Sequence, residues 1–327
     1  MFNIKGLFTR DAIIRYLTQL PVLQTPVMDV VFTNRPQSPL PLIGADMIAG
    51  TCNAMPLAKR GGRSISVTKE NGVTNFYEPF PIHPDVSITG VDLNNLKMLG
   101  NNQASLDAWA QVKTDYLRRV VRATTEAMCA VSLSGTLSYP VQLEGGGFDT
   151  YEVIYGAIQS LVPTKLWDAN DITIGKIFSD LTDMQLKLQL KGYGGIIETW
   201  AGKTAYNALF AAAENSKTTA KIRIEITDQG INIGGFLIKR RAEQYRNPQT
   251  GAMAQIVGDK VIKMIAMDAG HVMPYAALDD LDSNLQPMPF FIKPIKTDNP
   301  SGYQLVAESK PLPVPNVDGI CEATVTS

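Results

Sequence analysis

Between Met55 and Gly135 this chain reads as a long strand–loop–strand excursion followed by one very long helix, and few isolated folds accommodate that order. Asp46 to Leu57 is apolar-rich and suits a strand, while Lys59-Arg60-Gly61-Gly62-Arg63 and Lys69 to Gly72 have the composition of tips or turns. The chain returns through Phe76, Tyr77, Phe80, Ile82, Val86 and Ile88, among prolines that deny it a central place in a sheet. A limb of about 20 residues reaches roughly 65 Å at most, at ~3.3 Å per residue. Two-stranded ribbons are marginal alone in water. The excursion therefore needs a surface outside its own chain, with Arg60, Gly61, Gly62, Arg63, Phe76, Tyr77 and Phe80 as its contact candidates.

The helix behind it is expected over Asn101 to Leu133. Leu106, Trp109, Val112, Tyr116, Val120, Ala123, Ala127 and Val131 step by three or four, and Asn102 can cap. About 30 residues make a rod of roughly 45 Å. Arg118, Arg119 and Arg122 form a basic stripe on it, either a solvated face or a contact surface. Before the excursion, Thr9 to Leu20 has helical spacing that Pro21 ends, and Pro26 to Pro41 reads as an extended arm. After the rod, Gly145-Gly146-Gly147 joins strands at Thr136 to Val141 and Thr150 to Tyr155.

From Trp167 the pattern is ordinary α+β alternation. Helices are expected over Ile172 to Leu190 and Ala201 to Asn215. Strands are expected over Ile196 to Thr199, Ile222 to Ile226, Ile231 to Ile238 and Asp259 to Met267, with Tyr245 to Thr250 as a loop. The remaining short strands, Met288 to Ile295, Gln304 to Glu308 and Ala323 to Thr326, are expected to pair with those around Thr136 to Tyr155. That makes Trp167 to His271 an insertion into a discontinuous domain.

No catalytic motif stands out. His83 and His271 lie in separate contexts without metal-ligand spacing and read as structural, and there is no Gly-x-Ser-x-Gly elbow. Lys191-Gly192-Tyr193-Gly194-Gly195 precedes a strand, whereas a phosphate loop follows one, so it reads as a helix C-terminal turn. Asp279, Asp280 and Asp282 lack the spaced pattern of a calcium loop. Lys239, Arg240 and Arg241 make the densest basic run, a solvated strand end or a charged contact with another subunit or a polyanion. Cys52, Cys129 and Cys321 are too scattered for a disulfide framework and read as buried free thiols. A net charge of −1 argues against a dedicated nucleic-acid binder. No apolar run approaches the roughly 18 residues of a membrane helix, and neither a membrane contact nor a cofactor is expected.

The order and wording of these elements resemble the major capsid proteins of tailed bacteriophages, and in particular the lambda-type capsid protein E family. The carrying residues are Lys59-Arg60-Gly61-Gly62-Arg63, Pro81-x-His83-Pro84, Asp92-Leu93-Asn94, Leu117-Arg118-Arg119 and Thr125-Glu126-Ala127-Met128, with an echo in Tyr303 to Pro311. The resemblance implies the Hong Kong 97 capsid fold. Its N-terminal arm would be residues 1–44 and its extended loop 45–88. A peripheral domain would take 89–161 and 273–327, with its spine helix at 101–133, and an axial domain 162–272. It further implies a virion shell protein, not an enzyme, forming hexamers and pentamers in the host cytoplasm with a scaffolding protein and a portal protein. A decoration protein would bind outside, and double-stranded DNA would be contacted non-specifically inside. No cleaved scaffolding segment is expected ahead of the arm. The extended loop would lie on the adjacent subunit, so that Arg60→Glu or Arg63→Glu impairs assembly more than Lys310→Glu. An encapsulin-like nanocompartment shell shares the implied fold, and an unrelated α+β enzyme is the alternative of another class.

Overall fold

Thr9 opens the first substantial helix by accepting the amide of Ala12 on its hydroxyl at 3.3 Å, the usual side-chain cap. The computed structural model describes residues 4–44, 76–98, 103–215 and 222–327. The arm comprises α1 (Ile4–Leu7), α2 (Arg10–Gln19), α3 (Pro26–Val30) and β1 (Ile43–Gly44). Next come β2 (Phe76–Tyr77), β3 (Asp85–Thr89), α4 (Gly90–Met98) and the rod α5 (Gln103–Ser132). Helix α4 has no counterpart in the expectations. It starts with a reciprocal cap, in which Asp92 accepts the Thr89 amide at 2.9 Å and Thr89 accepts the Asp92 amide at 3.3 Å.

After the rod, β4 (Thr136–Gln142) and β5 (Phe148–Ile154) form an antiparallel ribbon of their own. The chain continues through β6 (Gln159–Leu161), α6 (Ile174–Leu190), β7 (Ile197–Ala201) and α7 (Lys203–Asn215). Then follow β8 (Ile224–Thr227), β9 (Gly230–Ile233), β10 (Phe236–Arg240), β11 (Gln244–Arg246), β12 (Met253–Gln255) and β13 (Val261–Ala266). The C-terminal part supplies β14 (Phe291–Asp298), β15 (Ser301–Glu308) and β16 (Ile320–Thr324).

Two of these pieces differ from expectation. The single strand expected over Ile231 to Ile238 is a hairpin, because Gly234 and Gly235 both take left-handed φ (58° and 107°) and reverse the chain. The loop at Tyr245 lies in a small β11–β12 hairpin.

Pairing corrects the expected partners of the C-terminal strands. β14 and β15 pair with β3 in a three-stranded sheet, not with the β4–β5 ribbon. β16 lies between β6 and β13 in a seven-stranded sheet of order β6-β16-β13-β7-β10-β9-β8. Short apolar strands carry no address, and these are matched by tertiary register rather than by local pattern.

The large sheet is buried on both faces. In β13, Ile262, Met264 and Ala266 face the core under α6 and α7, whereas Ile265 faces the core shared with the arm and the rod. Lys263 also points to the rod side. Its ammonium is buried, 3.0 Å from the carbonyl of Leu133 and 2.9 Å from Glu322. A cation there satisfies an orphan carbonyl at the C-terminus of α5 and suits the negative end of the helix. Gly135, at φ 88°, then turns the chain into β4.

Opposite faces of α5 should respond differently to truncation. Leu117 is fully buried and Val112 is 67% exposed. Leu117→Ala should cost about 2–5 kcal/mol of subunit stability and Val112→Ala about 0.5 or less. Denaturant unfolding of unassembled subunits measures both.

Candidate assembly surface

The two limbs of the excursion meet at a short paired root, Ile43 opposite Tyr77 and Gly44 opposite Phe76. Ile43 is buried in a core with Leu137, Val153 and Leu312. Tyr77 stacks obliquely near Tyr155 (centroids 6.5 Å apart), and the Tyr151 hydroxyl donates to the Glu78 carbonyl at 3.0 Å. Phe80 meets the Tyr151 ring edge-on at 4.9 Å. The β4–β5 ribbon thus holds the root of the excursion. Tyr77 is half-buried within its own chain, while Phe76 and Phe80 stay 58% and 45% exposed. Arg60, Gly61, Gly62 and Arg63 fall outside the described residues. The return limb leaves the root at Ile82, which bridges to Ser309, and joins the sheet at β3.

The segment from Pro26 to Pro41 is not the unpacked arm its prolines indicate. Pro26 sits in the first turn of α3, where a missing N–H costs nothing. Val27, Met28, Val31 and Phe32 are buried against Cys129 and Ala130 of α5 and Leu133 just beyond it. Glu126, buried on the rod, accepts the amides of Val27 and Met28 at 2.8 Å each, with one carboxylate oxygen for each. Burial pushes its pKa up, against the lowering effect of those two amides. Further along, the arm bridges Asn34 to Val272 and Gln37 to Tyr275.

The arginine stripe is spent mostly on this strap rather than on a free face. Arg118 donates to the Pro21 carbonyl and to Asp115, both at 2.8 Å. Arg122 donates to Thr25 at 2.7 Å and to Asp29 at 2.6 Å. Arg35 joins from within the arm, 3.0 Å from Asp29. Burial alone would raise the Asp29 pKa, but hydrogen bonds from Thr25, Arg35 and Arg122 hold it below the usual range. Arg119 alone of the three keeps a mainly exposed side chain (57%), 2.6 Å from Asp115.

The second basic run is also engaged internally. Lys239 reaches both oxygens of Glu198 at 2.8 Å, Arg240 lies over Tyr206, and Arg241 lies 4.9 Å over the Trp200 ring and 3.2 Å from Glu243. Lys310, expected to serve as a neutral comparison for charge reversal, is 3% exposed and paired with Asp279. Reversing it would put a carboxylate in that buried position beside Asp279, so it is unsuited to that purpose. Asp280 and Asp282 pair with Lys293, so this acidic loop is neutralised by side chains.

His271 is buried at the junction that the arm crosses. Its Nδ1 accepts the Asn316 amide at 3.1 Å, its Nε2 lies 3.0 Å from the Ala266 carbonyl, and the Phe32 ring packs edge-on against it. Burial lowers its pKa to about 4, which keeps the ring neutral. Among the described residues no group of three or more His, Cys, Asp and Glu side chains is placed to hold a metal ion. No described helix is long and apolar enough to cross a membrane.

What remains outward is apolar and distributed. Val112 and Tyr116 stand one turn apart on α5, at 67% and 58% exposed, opposite its buried seam. Leu186, Leu190 and Ile196 are exposed on and just beyond α6. A groove of about 670 Å³ runs between α2 (Ile13, Ile14, Leu17) and Met288 to Phe291. Sequence reasoning missed these positions because they continue helical periodicities already assigned to the core. Two apolar stripes on one helix are the signal that would have found them.

Two outcomes follow from the strap and its junction. Glu126→Ala leaves two buried amides without an acceptor and should cost about 2–4 kcal/mol, with faster hydrogen exchange at Val27 and Met28 than at Leu117. His271 is held neutral when folded and titrates near 6.5 when unfolded, so its contribution is complete above pH 6.5 and is lost as pH falls towards 4. Wild-type stability should therefore drop by about 2–3 kcal/mol more than that of His271→Gln between pH 7 and pH 4.5. Groups with raised pKa such as Glu126 act oppositely but equally in both proteins, and cancel in that difference.

Comparison with known proteins agrees with this architecture. No curated protein sequence matches the chain significantly. Among solved structures, a protein described as a prophage capsid protein of Escherichia coli CFT073 superimposes with a TM-score of 0.64 at 13% identity, over 97% of this chain and 98% of that one. The capsid protein of Myoviridae phage XM1 gives 0.44 at 8% identity (99% and 98% covered). A holo-encapsulin complex from Synechococcus elongatus PCC 7942 gives 0.45 at 8% (96% and 95% covered). Scores under 0.5 bear no weight, but the first shows that the α+β fold is that of phage capsid proteins. Residues 9–325 match the phage major capsid protein E family. The chain belongs to that family and is a shell-forming capsid protein of a phage particle.

Proposed function

We propose that copies of this chain close an icosahedral phage head as hexamers and pentamers, assembled in the host cytoplasm around a scaffolding protein and a portal protein. The role is structural, with no catalysis of its own. The observation that carries this reading is the root of the excursion. Residues 45–75 leave and return at one short pair, beside Phe76 and Phe80 that their own chain leaves uncovered. Half of that segment extends at most about 50 Å, at ~3.3 Å per residue. A neighbouring copy of the chain is within that reach and supplies the missing burial.

Packaged DNA is contacted non-specifically and weakly. The arginines of α5 are already balanced by Asp115 and Asp29, and the whole chain has a net charge of −1. Such contacts weaken as salt rises. A decoration protein fits the outward apolar positions better than a charged partner does.

The purified full chain, alone or with its scaffold, should form capsomers or closed particles visible by negative-stain microscopy. Phe76→Ser, at the more exposed of the two rings, should lower particle yield at unchanged subunit stability. A monomer that persists at all concentrations, with and without scaffold, overturns the reading.

A further inference from the structure

The groove beside α2 combines apolar walls with unbalanced positive charge. Ile13, Ile14 and Leu17 face Met288 and Phe290 across it. Lys5 and Arg10 also line it, both exposed, and among the described residues neither pairs with a carboxylate. Its remaining cation, Lys293, is already balanced by Asp280 and Asp282.

One wall of the groove is a pinned loop. Asn284 and Leu285 both take left-handed φ (56° and 55°), which non-glycine residues keep only where their surroundings fix it. The Leu285 amide donates to the Asp280 carbonyl at 3.2 Å, and the buried Ser283 hydroxyl donates to the same carbonyl at 2.7 Å. The groove is therefore shaped before any occupant arrives, which lowers the cost of filling it.

The tip of the β4–β5 ribbon has the complementary character. Every residue from Gln142 to Thr150 is exposed, so the tip stands clear as a finger. Leu143 and Phe148, at 49% and 41% exposed, flank the three-glycine turn, with Glu144 and Asp149 beside them. From Ala123 to Thr164 the sequence has no lysine, arginine or histidine to offset those carboxylates. Asp149 accepts the neighbouring Thr150 amide at 2.7 Å, and among the described residues neither carboxylate pairs with a cation. An apolar and acidic finger thus matches an apolar and basic groove in both shape and charge.

Reach decides which copy supplies the finger. Helix α2 is anchored near the start of the rod, where Arg15 and Tyr16 both reach Asp107 and Phe8 meets Trp109 edge-on. The ribbon begins at Thr136, just past the rod's other end. From Trp109 to Ser132 the rod covers about 35 Å at ~1.5 Å per residue. A ribbon strand of 7 residues reaches about 23 Å at ~3.3 Å per residue. Even folded back along the rod, the finger falls short of its own groove.

We infer that the tip of the β4–β5 ribbon of one copy seats in the α2 groove of a second copy, with Leu143 and Phe148 filling the apolar part and Glu144 and Asp149 facing Lys5 and Arg10. Finger and groove are different surfaces, so the contact runs head to tail and builds rings or larger assemblies instead of closing on a pair. The inference rests on the shell reading and adds to it a contact between subunits.

A charge-swap series in the full-length chain tests it: wild type, Glu144→Lys with Asp149→Lys, Lys5→Glu with Arg10→Glu, and all four together. Particle yield is read by sedimentation and negative-stain microscopy, and subunit folding by thermal melting. All four side chains are exposed, so melting of unassembled subunits should be unchanged. Each half of the swap should lower yield about tenfold or more, and the combination should restore it to within about threefold of wild type. Either half without effect on yield, or a combination no better than its worse half, overturns the docking alone. A wild type that never assembles overturns the shell reading and the docking with it. Should a charge variant lower the melting temperature, Leu143→Ser takes its place: a several-fold loss of yield at wild-type melting supports the seat, and no loss overturns it.

Discussion

A helix of thirty residues has one seam to bury along its whole length, and the seam of α5 passes through three separate cores. Leu106, Ala110, Leu117 and Val121 meet α1, α2 and the three-stranded sheet. Cys129, Ala130 and Leu133 meet α3 and the large sheet, while Met128 meets the core under the β4–β5 ribbon. The arm, the three-stranded sheet, the β4–β5 ribbon and one face of the large sheet are each positioned by the stretch of this rod they cover. Removing a large side chain from the seam is therefore felt in more than one sheet.

The arm lies across that rod as a strap, held by an apolar side and a polar side. Its apolar side buries Val27 and Phe32 completely. Its polar side places Glu126 against two amides and Arg122 against Asp29 and Thr25. Burying a carboxylate is costly unless its hydrogen bonds are supplied. Here the first turn of α3 supplies two donors that have no partner inside their own helix. The cost of burial and the unsatisfied helix end thus offset one another, and the strap is held in a single register.

This arrangement explains where the sequence was legible and where it was not. The rod was readable to within one residue at its end, its expected first residues Asn101 and Asn102 lying outside the described ones, because a 3.6-residue period sustained over eight turns has no competitor. The β4–β5 ribbon was readable from its three glycines, two of which adopt positive φ. The arm was misread because Pro26 marks both an extended segment and a helix start, and only contact with Glu126, 99 residues away, decides between them. The engagement of the arginine stripe was not legible for a related reason. Its partners are a backbone carbonyl at Pro21 and the side chains of Thr25 and Asp29, which no helical pattern records. At the excursion root, the aromatic residues were legible as a cluster, but not that Tyr77 would be taken by Tyr155 of its own chain.

The distribution of burial also orders events. The large sheet with α6 and α7, and the rod with its strap, bury their apolar residues within one subunit, so a subunit needs no second copy to form them. The two-stranded ribbons differ. β1–β2 and β4–β5 lean on each other through Tyr77, Phe80, Tyr151 and Tyr155, and each leaves apolar side chains facing outward. Ribbons of that kind gain most from a further surface. On the proposed assembly, association would add burial at these ribbons and leave the cores of the large sheet and of the rod untouched.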